Sequence, residues 1–117
     1  MGENIVRDKS KRFAIRIVAL SRYLQEAEHE YVLARQILRS GTSIGANIAE
    51  AEYAASRKDF LNKYIIALKE TAETLYWLEL LHDTALIDGS QFDSLQEDAT
   101  ELLRILKAIT KKLKATT

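Results

Sequence analysis

The sequence contains no cysteine and no proline, and its only glycines are at positions 2, 41, 45 and 89. Without cysteine the chain can form no disulfide, no thiolate metal site and no cysteine nucleophile. Without proline and with few glycines, most loop-rich and all-β architectures are excluded. No apolar run reaches the roughly 18 residues that a membrane-spanning helix needs, and the first residues lack the basic-then-apolar order of a signal peptide. We therefore expect a cytoplasmic protein with no membrane association.

The sequence also has no net charge, because 17 basic residues balance 17 acidic ones. The charges are unevenly distributed, with an excess of bases over residues 1–25 and 104–114 and an excess of acids over residues 40–101. Nearly half of the residues, 47%, are hydrophobic, which is enough for one folded domain with a core. The distribution of charge becomes informative once helices are assigned.

Apolar residues recur at helical spacing through most of the chain. This periodicity predicts four long helices, at about residues 4–25, 30–55, 57–85 and 91–115. Ser56 is the expected N-cap of the third helix, and Asp88 or Ser90 that of the fourth. Four long helices with short connections favour an antiparallel up-down-up-down bundle. We therefore predict an all-α four-helix bundle formed by a single domain over residues 1–117.

The segment from Leu38 to Ala51 combines helical apolar spacing with two glycines and a recurring set of polar residues. A glycine inside a helix costs roughly 1 kcal/mol relative to alanine, so Gly41 and Gly45 indicate a helix crossing too close for a side chain. We also predict a polar stripe in which residues of the second helix face residues of the third: Ser40, Ser43, Asn47 and Glu50 opposite Lys63, Glu70, Glu73 and Thr74. We interpret this stripe as a network that fixes helix register or a subunit contact; a solvent-facing polar edge is the alternative.

The third helix is apolar on more than one face. The large apolar residues that cover more than one face include Leu61, Tyr64, Ile65, Ile66, Leu68, Leu75, Tyr76, Trp77, Leu78, Leu80 and Leu81. Such a helix needs burial on most sides, yet in a monomeric bundle one side would face water. We therefore predict a subunit interface on this helix, with a broad core face plus scattered surface aromatics as the alternative.

Few residues suit catalysis or metal binding. Two pairs, Glu26 with His29 and Glu79 with His82, have the Glu-x-x-His spacing of di-iron carboxylate bundles. The first pair lies in a predicted turn, and Glu79 lies beside the apolar line of its helix. No P-loop, dinucleotide fingerprint or nucleophile elbow is present. We predict a protein that is not an enzyme and has no metal or cofactor; a metal-carboxylate enzyme is the remaining alternative.

The predicted topology gathers basic residues at one end of the bundle, which we call the basic end. The start of the first helix, the turn between the second and third, and the end of the fourth meet there. The predicted nucleic-acid-binding residues are Lys9, Lys11, Arg12, Arg57, Lys58, Lys111 and Lys112. Such a patch suits a phosphate backbone, but it shows no interleaved aromatics for base stacking. The alternative is that these cations only favour helix C-termini and solubility.

The central segment, from Gln36 to Ala51, resembles the signature of the 23S ribosomal RNA intervening-sequence protein family of bacterial four-helix-bundle proteins. The resemblance extends to Ser10, Phe13, Ala14 and Ile17, and to Asp59-Phe60, Lys63, Ile66–Glu70, Glu73-Thr74 and Tyr76–Leu78. It implies a small cytoplasmic bundle without catalytic residues. It also implies similarity to the accessory protein of diversity-generating retroelements, which forms a pentameric ring and engages nucleic acid and a reverse transcriptase.

From these observations we expect a non-enzymatic, self-associating interaction module, pentameric by this resemblance. Its expected partner is an RNA, bound through the basic end, or a nucleic-acid-processing protein. The alternative function is an oligomeric protein-binding adaptor with no role in nucleic-acid binding.

Overall fold

The computed structural model describes residues 2–116, and within them it has four helices: α1 (Gly2–Glu26), α2 (Val32–Ala51), α3 (Arg57–Asp83) and α4 (Gly89–Ala115). Each helix packs against the next one in sequence, and α4 returns to pack against α1. Hydrogen bonds between α2 and α3 join Glu50 to Lys63 and Ser40 to Thr74, so the two helices run in opposite directions. The predicted all-α four-helix bundle is confirmed. None of the described helices is long and apolar enough to cross a membrane.

The helix with the largest difference from its predicted bounds is α2, which ends at Ala51 rather than at about residue 55. The amides of Glu52 and Ala54 bond to carbonyls three residues earlier, which tightens the chain after the last helical turn. Ser56 then adopts an extended conformation and its side chain accepts the Asp59 amide, so α3 begins with the predicted cap. The segment 52–56 is consequently an exposed connection and not part of α2.

The other connections are set by local hydrogen bonds. His29 has a positive φ of 54° between α1 and α2, and Ala85 has a φ of 62° after α3. Asp88 caps α4 through a capping box, because its side chain accepts the Gln91 amide and the Gln91 side chain accepts the Asp88 amide. Of the two predicted caps for α4, Asp88 is therefore the one used.

The core lies between the four helices and follows the predicted apolar stripes. Apolar residues at helical spacing on α1 and α4 are buried there: Val6, Phe13, Ile17, Leu20, Leu24, Leu95, Ala99, Leu102 and Leu106. The molecule measures 46 × 22 × 19 Å. Charges at its two ends are therefore several Debye lengths of ~8 Å apart and act independently at physiological salt.

Helices α1 and α2 cross closely at the two interior glycines. A Cβ atom on Gly41 would lie 2.7 Å from Cγ2 and 2.8 Å from Cγ1 of Ile17. A Cβ on Gly45 would lie 3.3 Å from Oγ and 3.5 Å from the carbonyl oxygen of Ser10. Ile17 and Ser10 are fully buried, so the fold has little room to move them. The close crossing that the glycines predicted is thus present, and it is tighter at Gly41.

We predict that Gly41→Ala destabilises the protein more than Gly45→Ala. Alanine gains roughly 1 kcal/mol of helix propensity at either site, but at Gly41 the clash with Ile17 costs about 1–3 kcal/mol. Urea unfolding followed by circular dichroism should show a lower midpoint for Gly41→Ala and a nearly unchanged midpoint for Gly45→Ala. Equal effects of the two substitutions would contradict the close contact between Gly41 and Ile17.

Candidate nucleic-acid interface

The basic end is formed by the three chain segments that the topology predicted. Arg7 near the start of α1 forms an ion pair with Glu52, just after α2. Nη2 of Arg57, the first residue of α3, donates to Oγ1 of Thr116 at the end of α4, at 2.5 Å. These two contacts bring the start of α1, the connection between α2 and α3, and the end of α4 to one end of the molecule.

Two α1 members of the predicted binding set, Lys9 and Arg12, are paired with acids. Nζ of Lys9 lies 3.1 Å from Oε1 of Glu101 in α4, and an Arg12 nitrogen lies 2.6 Å from an oxygen of Asp8. One helical turn further along, Arg16 pairs with Asp98 of α4 at 2.6 Å. Lys9 and Arg16 form, together with these acids of α4, an ionic seam along the α1–α4 contact. The charge of Lys9 and Arg12 is therefore largely compensated within the molecule.

The α3 and α4 members are different, since they are exposed and form no ion pair with an acid among residues 2–116. These members are Arg57, Lys58, Lys111 and Lys112. Lys11, on the outer face of α1, is also exposed and has no ion pair with a described residue. The predicted set thus divides into two paired bases on α1, Lys9 and Arg12, and bases without an ion pair to a described residue, which are Lys11 and the bases at the facing ends of α3 and α4.

The position of Arg57 and Lys58 is electrostatically unusual. They are the first two residues of α3, where the helix macrodipole favours acids and disfavours bases. Lys112 and Lys114, by contrast, lie in the last turn of α4, where the same dipole favours cations. The helix dipole therefore gives Lys112 and Lys114 a stabilising role. It gives none to Arg57 and Lys58, which add positive charge to the already positive N-terminus of α3.

A half-open groove lies among these bases, with a volume of about 630 Å³. Its apolar lining comes from Phe60, Ile109 and Leu113 together with Ala51 and Ala54. Its polar lining includes Arg57, Lys112 and Thr116. Glu52 also lines the groove, but its carboxylate is paired with Arg7. The groove combines an apolar surface with cations that lack an acidic partner in the described chain.

The sequence analysis missed an aromatic residue at this end. Tyr53 is 86% exposed and lies in the connection between Ala51 and Ser56, between two residues that line the groove, Glu52 and Ala54. The predicted second helix extends to about residue 55 and so includes Tyr53. Because α2 ends at Ala51, Tyr53 instead lies on the exposed connection at this end of the molecule.

The predicted polar stripe separates into three kinds of contact. Ser43 and Asn47 bond to backbone carbonyls of their own helix, those of Arg39 and Ser43. Glu70 pairs across to Arg39 at 3.1 Å, and Arg39 also pairs with Glu73. Ser40 and Thr74 are joined by a fully buried hydrogen bond of 2.8 Å. The buried part of the stripe is this pair of hydroxyls.

The predicted approach of Glu50 to Lys63 is present as a hydrogen bond of 2.9 Å from Nζ of Lys63 to Oε1 of Glu50. This hydrogen bond, followed by the Coulomb attraction of the Glu50 carboxylate, raises the pKa of Lys63 above its ordinary value. A raised pKa means that the pair contributes its stability at neutral pH and loses it only as the pH rises through that pKa. Solvent screening keeps the contribution small, because Glu50 is largely exposed.

The two Glu-x-x-His pairs are not assembled into one site. His29 is exposed in the connection after α1, and Glu79 is exposed on α3. The imidazole of His82 stacks on Phe92 with ring centroids 4.5 Å apart. Among the residues that the structure describes, no group of three or more His, Cys, Asp or Glu side chains is arranged to hold a metal ion.

Comparison with known proteins identifies the family. The family model described as "23S rRNA-intervening sequence protein" matches residues 2–108. The chain belongs to this family. A solved structure with the same fold is that of a protein of unknown function from the S23 ribosomal protein family of Bacteroides thetaiotaomicron VPI-5482. It is 55% identical, the match covers 95% of this chain and 99% of that one, and the TM-score is 0.93. No curated protein matches the chain.

We predict that the hydrogen bond between Ser40 and Thr74 stabilises the α2–α3 contact more than the exposed pair of Glu50 and Lys63. Thr74→Val keeps the shape of the side chain but removes this partner of the Ser40 hydroxyl, whose other contact is the Ile37 carbonyl at 3.5 Å. The loss should be about 1–3 kcal/mol. Urea unfolding should show this decrease for Thr74→Val and little change for Glu50→Gln. If Glu50→Gln lowered the free energy of unfolding more than Thr74→Val, the exposed ion pair and not the buried hydrogen bond would stabilise the α2–α3 contact.

Proposed function

We propose that this protein is a non-enzymatic RNA-associated module that contacts the phosphate backbone through Arg57, Lys58, Lys111 and Lys112. The observation that carries the proposal is the group of exposed bases at the basic end that have no acidic partner among residues 2–116. Exposed arginines and lysines are the residues that neutralise phosphates in nucleic-acid complexes. The family description, which refers to 23S rRNA intervening sequences, agrees with RNA as the partner.

The electrostatics of α3 supports function over stability as the reason for these bases. Arg57 and Lys58 occupy the unfavourable end of the helix dipole, so the dipole gives no reason in stability for their charge. A phosphate bound there would interact favourably with both the side chains and the helix N-terminus. Lys9 and Arg12 contribute less in this proposal, because Glu101 and Asp8 already compensate their charge.

We further propose that the protein self-associates through the outer face of α3. Of the eleven large apolar residues of α3 named in the sequence analysis, six are buried or pack against the core: Tyr64, Leu68, Leu75, Trp77, Leu78 and Leu81. Leu61, Ile65, Ile66 and Leu80 are half-exposed, and Tyr76 is 58% exposed. A second copy of the chain would bury this remaining apolar surface. Five subunits are proposed by resemblance to the retroelement accessory protein.

The RNA proposal predicts that Lys58→Gln and the double substitution Lys111→Gln/Lys112→Gln weaken RNA binding. Each lost phosphate contact should reduce the salt dependence of binding. The slope of the logarithm of the association constant against the logarithm of the salt concentration should fall in magnitude by about 1 per lysine. Fluorescence anisotropy with a labelled fragment of 23S rRNA, measured between about 50 and 200 mM salt, provides both the affinity and the slope.

Arg35→Gln is the matched control, because Arg35 is an exposed base at the start of α2, at the opposite end of the molecule. It should leave affinity and slope unchanged. Lys58→Gln should also leave thermal stability unchanged or slightly higher, since it removes a base from a helix N-terminus. No RNA binding by the unmodified protein at low salt, or equal losses for Arg35→Gln and Lys58→Gln, would refute the proposal.

The self-association proposal predicts that Ile65→Lys lowers the molar mass in solution toward that of the 13.3 kDa chain. The added charge would have to be desolvated in an interface on α3. Ile15→Lys is the control, because Ile15 is 62% exposed on the outer face of α1 and lies outside the proposed interface. Light scattering after size-exclusion chromatography measures the mass. A mass unchanged by Ile65→Lys, or one already equal to a single chain in the unmodified protein, would contradict the proposal.

A further inference from the structure

We infer that the groove at the basic end, together with Tyr53, binds unpaired nucleotides, so that the protein selects single-stranded RNA over duplex RNA. This inference rests on the proposed RNA association and adds to it the form of RNA that is bound. In the inferred complex one base lies against the apolar lining of the groove, the neighbouring phosphates contact Arg57 and Lys112, and an adjacent base stacks on Tyr53.

The lining of the groove matches the chemistry of a nucleotide. Phe60, Ile109 and Leu113 provide an apolar surface, while Arg57 and Lys112 provide cations at the same site. A nucleotide likewise joins an apolar base face to an anionic phosphate. The volume of about 630 Å³ falls within the range of small-ligand sites, about 300–1,000 Å³. An apolar peptide would use the lining but leave the cations without a partner.

Tyr53 adds the feature that separates single strands from duplexes. Its ring is 86% exposed on a loop beside exposed bases, so a nucleobase can reach it without any rearrangement of the core. Proteins that bind single-stranded RNA combine a positive groove with aromatic rings on which bases stack. In a duplex the base faces are covered by their neighbours, and recognition is limited to phosphates, ribose and shape. Tyr53 and the groove lining can therefore act only on unpaired bases.

The test compares two labelled RNAs, an oligouridine of about 12 nucleotides and a duplex of about 12 base pairs, a length within the range that single-strand binding sites cover. Tyr53→Ala should weaken oligouridine binding about 5- to 100-fold, as expected for the loss of one stacked base. Tyr53→Phe, which keeps the ring, should bind oligouridine like the unmodified protein. Neither substitution should change duplex binding, whereas Lys58→Gln should weaken the binding of both RNAs.

Two neighbouring alanines allow a second, uncharged test of the groove. Ala54 lines the groove and Ala55, the next residue, is exposed and does not. Ala54→Leu should occupy part of the groove and weaken oligouridine binding, and Ala55→Leu should not. Cross-linking of an RNA containing 4-thiouridine, followed by mass spectrometry, should label Tyr53 or Phe60.

The outcomes separate this inference from the proposed function. If Lys58→Gln weakens the binding of both RNAs but Tyr53→Ala and Ala54→Leu change neither, the RNA association stands and the nucleotide site is refuted. If the unmodified protein binds neither RNA, the proposed function fails and the nucleotide site fails with it. If Tyr53→Ala changes the molar mass in solution, the surface belongs to an interface between copies of the chain, which also refutes the site.

Discussion

The close crossing of α1 and α2 at Gly41 is the constraint on which the rest of the structure depends. The missing Cβ allows Ile17 to lie against the backbone of α2, which fixes how deeply α1 enters the bundle. With α1 in this position, Lys9 and Arg16 reach Glu101 and Asp98 of α4 and form the ionic seam. A packing feature of one helix pair therefore decides which bases of another pair are compensated. The bases available to a ligand are those that this packing leaves without an acidic partner in the described chain.

The distribution of paired and unpaired charges makes this neutral chain polar along its length. Lys9 and Arg16 of α1 pair with acids of α4, whereas Arg57, Lys58, Lys111 and Lys112 remain exposed at the ends of α3 and α4. Bases at the start of α3 oppose the helix dipole, so their presence is better explained by a ligand than by stability. The same end holds the groove lined by Phe60 and an exposed aromatic side chain, Tyr53. Charge, apolar surface and an aromatic ring thus meet at one end of an elongated molecule.

The sequence was sufficient to predict the fold, because helical periodicity depends on local spacing alone. The apolar stripes of α1 and α4 and the caps at Ser56 and Asp88 are present in the structure. Two features of the site could not be predicted in this way. The end of α2 at Ala51 depends on how residues 52–56 fold back toward α3. Apolar spacing carries no information about this turn, so the predicted second helix includes Tyr53. The pairing of Lys9 with Glu101 joins residues 92 positions apart, and it requires knowledge of how α1 and α4 face each other.

We propose that the unpaired bases of α3 and α4 face the RNA, and that the paired bases Lys9 and Arg12 of α1 do not. Chemical acetylation of the protein with and without bound RNA, read by mass spectrometry, measures which lysines the RNA protects. Lys58, Lys111 and Lys112 should be strongly protected, and Lys69, which is exposed near the middle of α3, should keep its reactivity. Lys9 should change little, since it is already half-buried against Glu101. Protection that is uniform over all lysines, or strongest at Lys69, would contradict the claim.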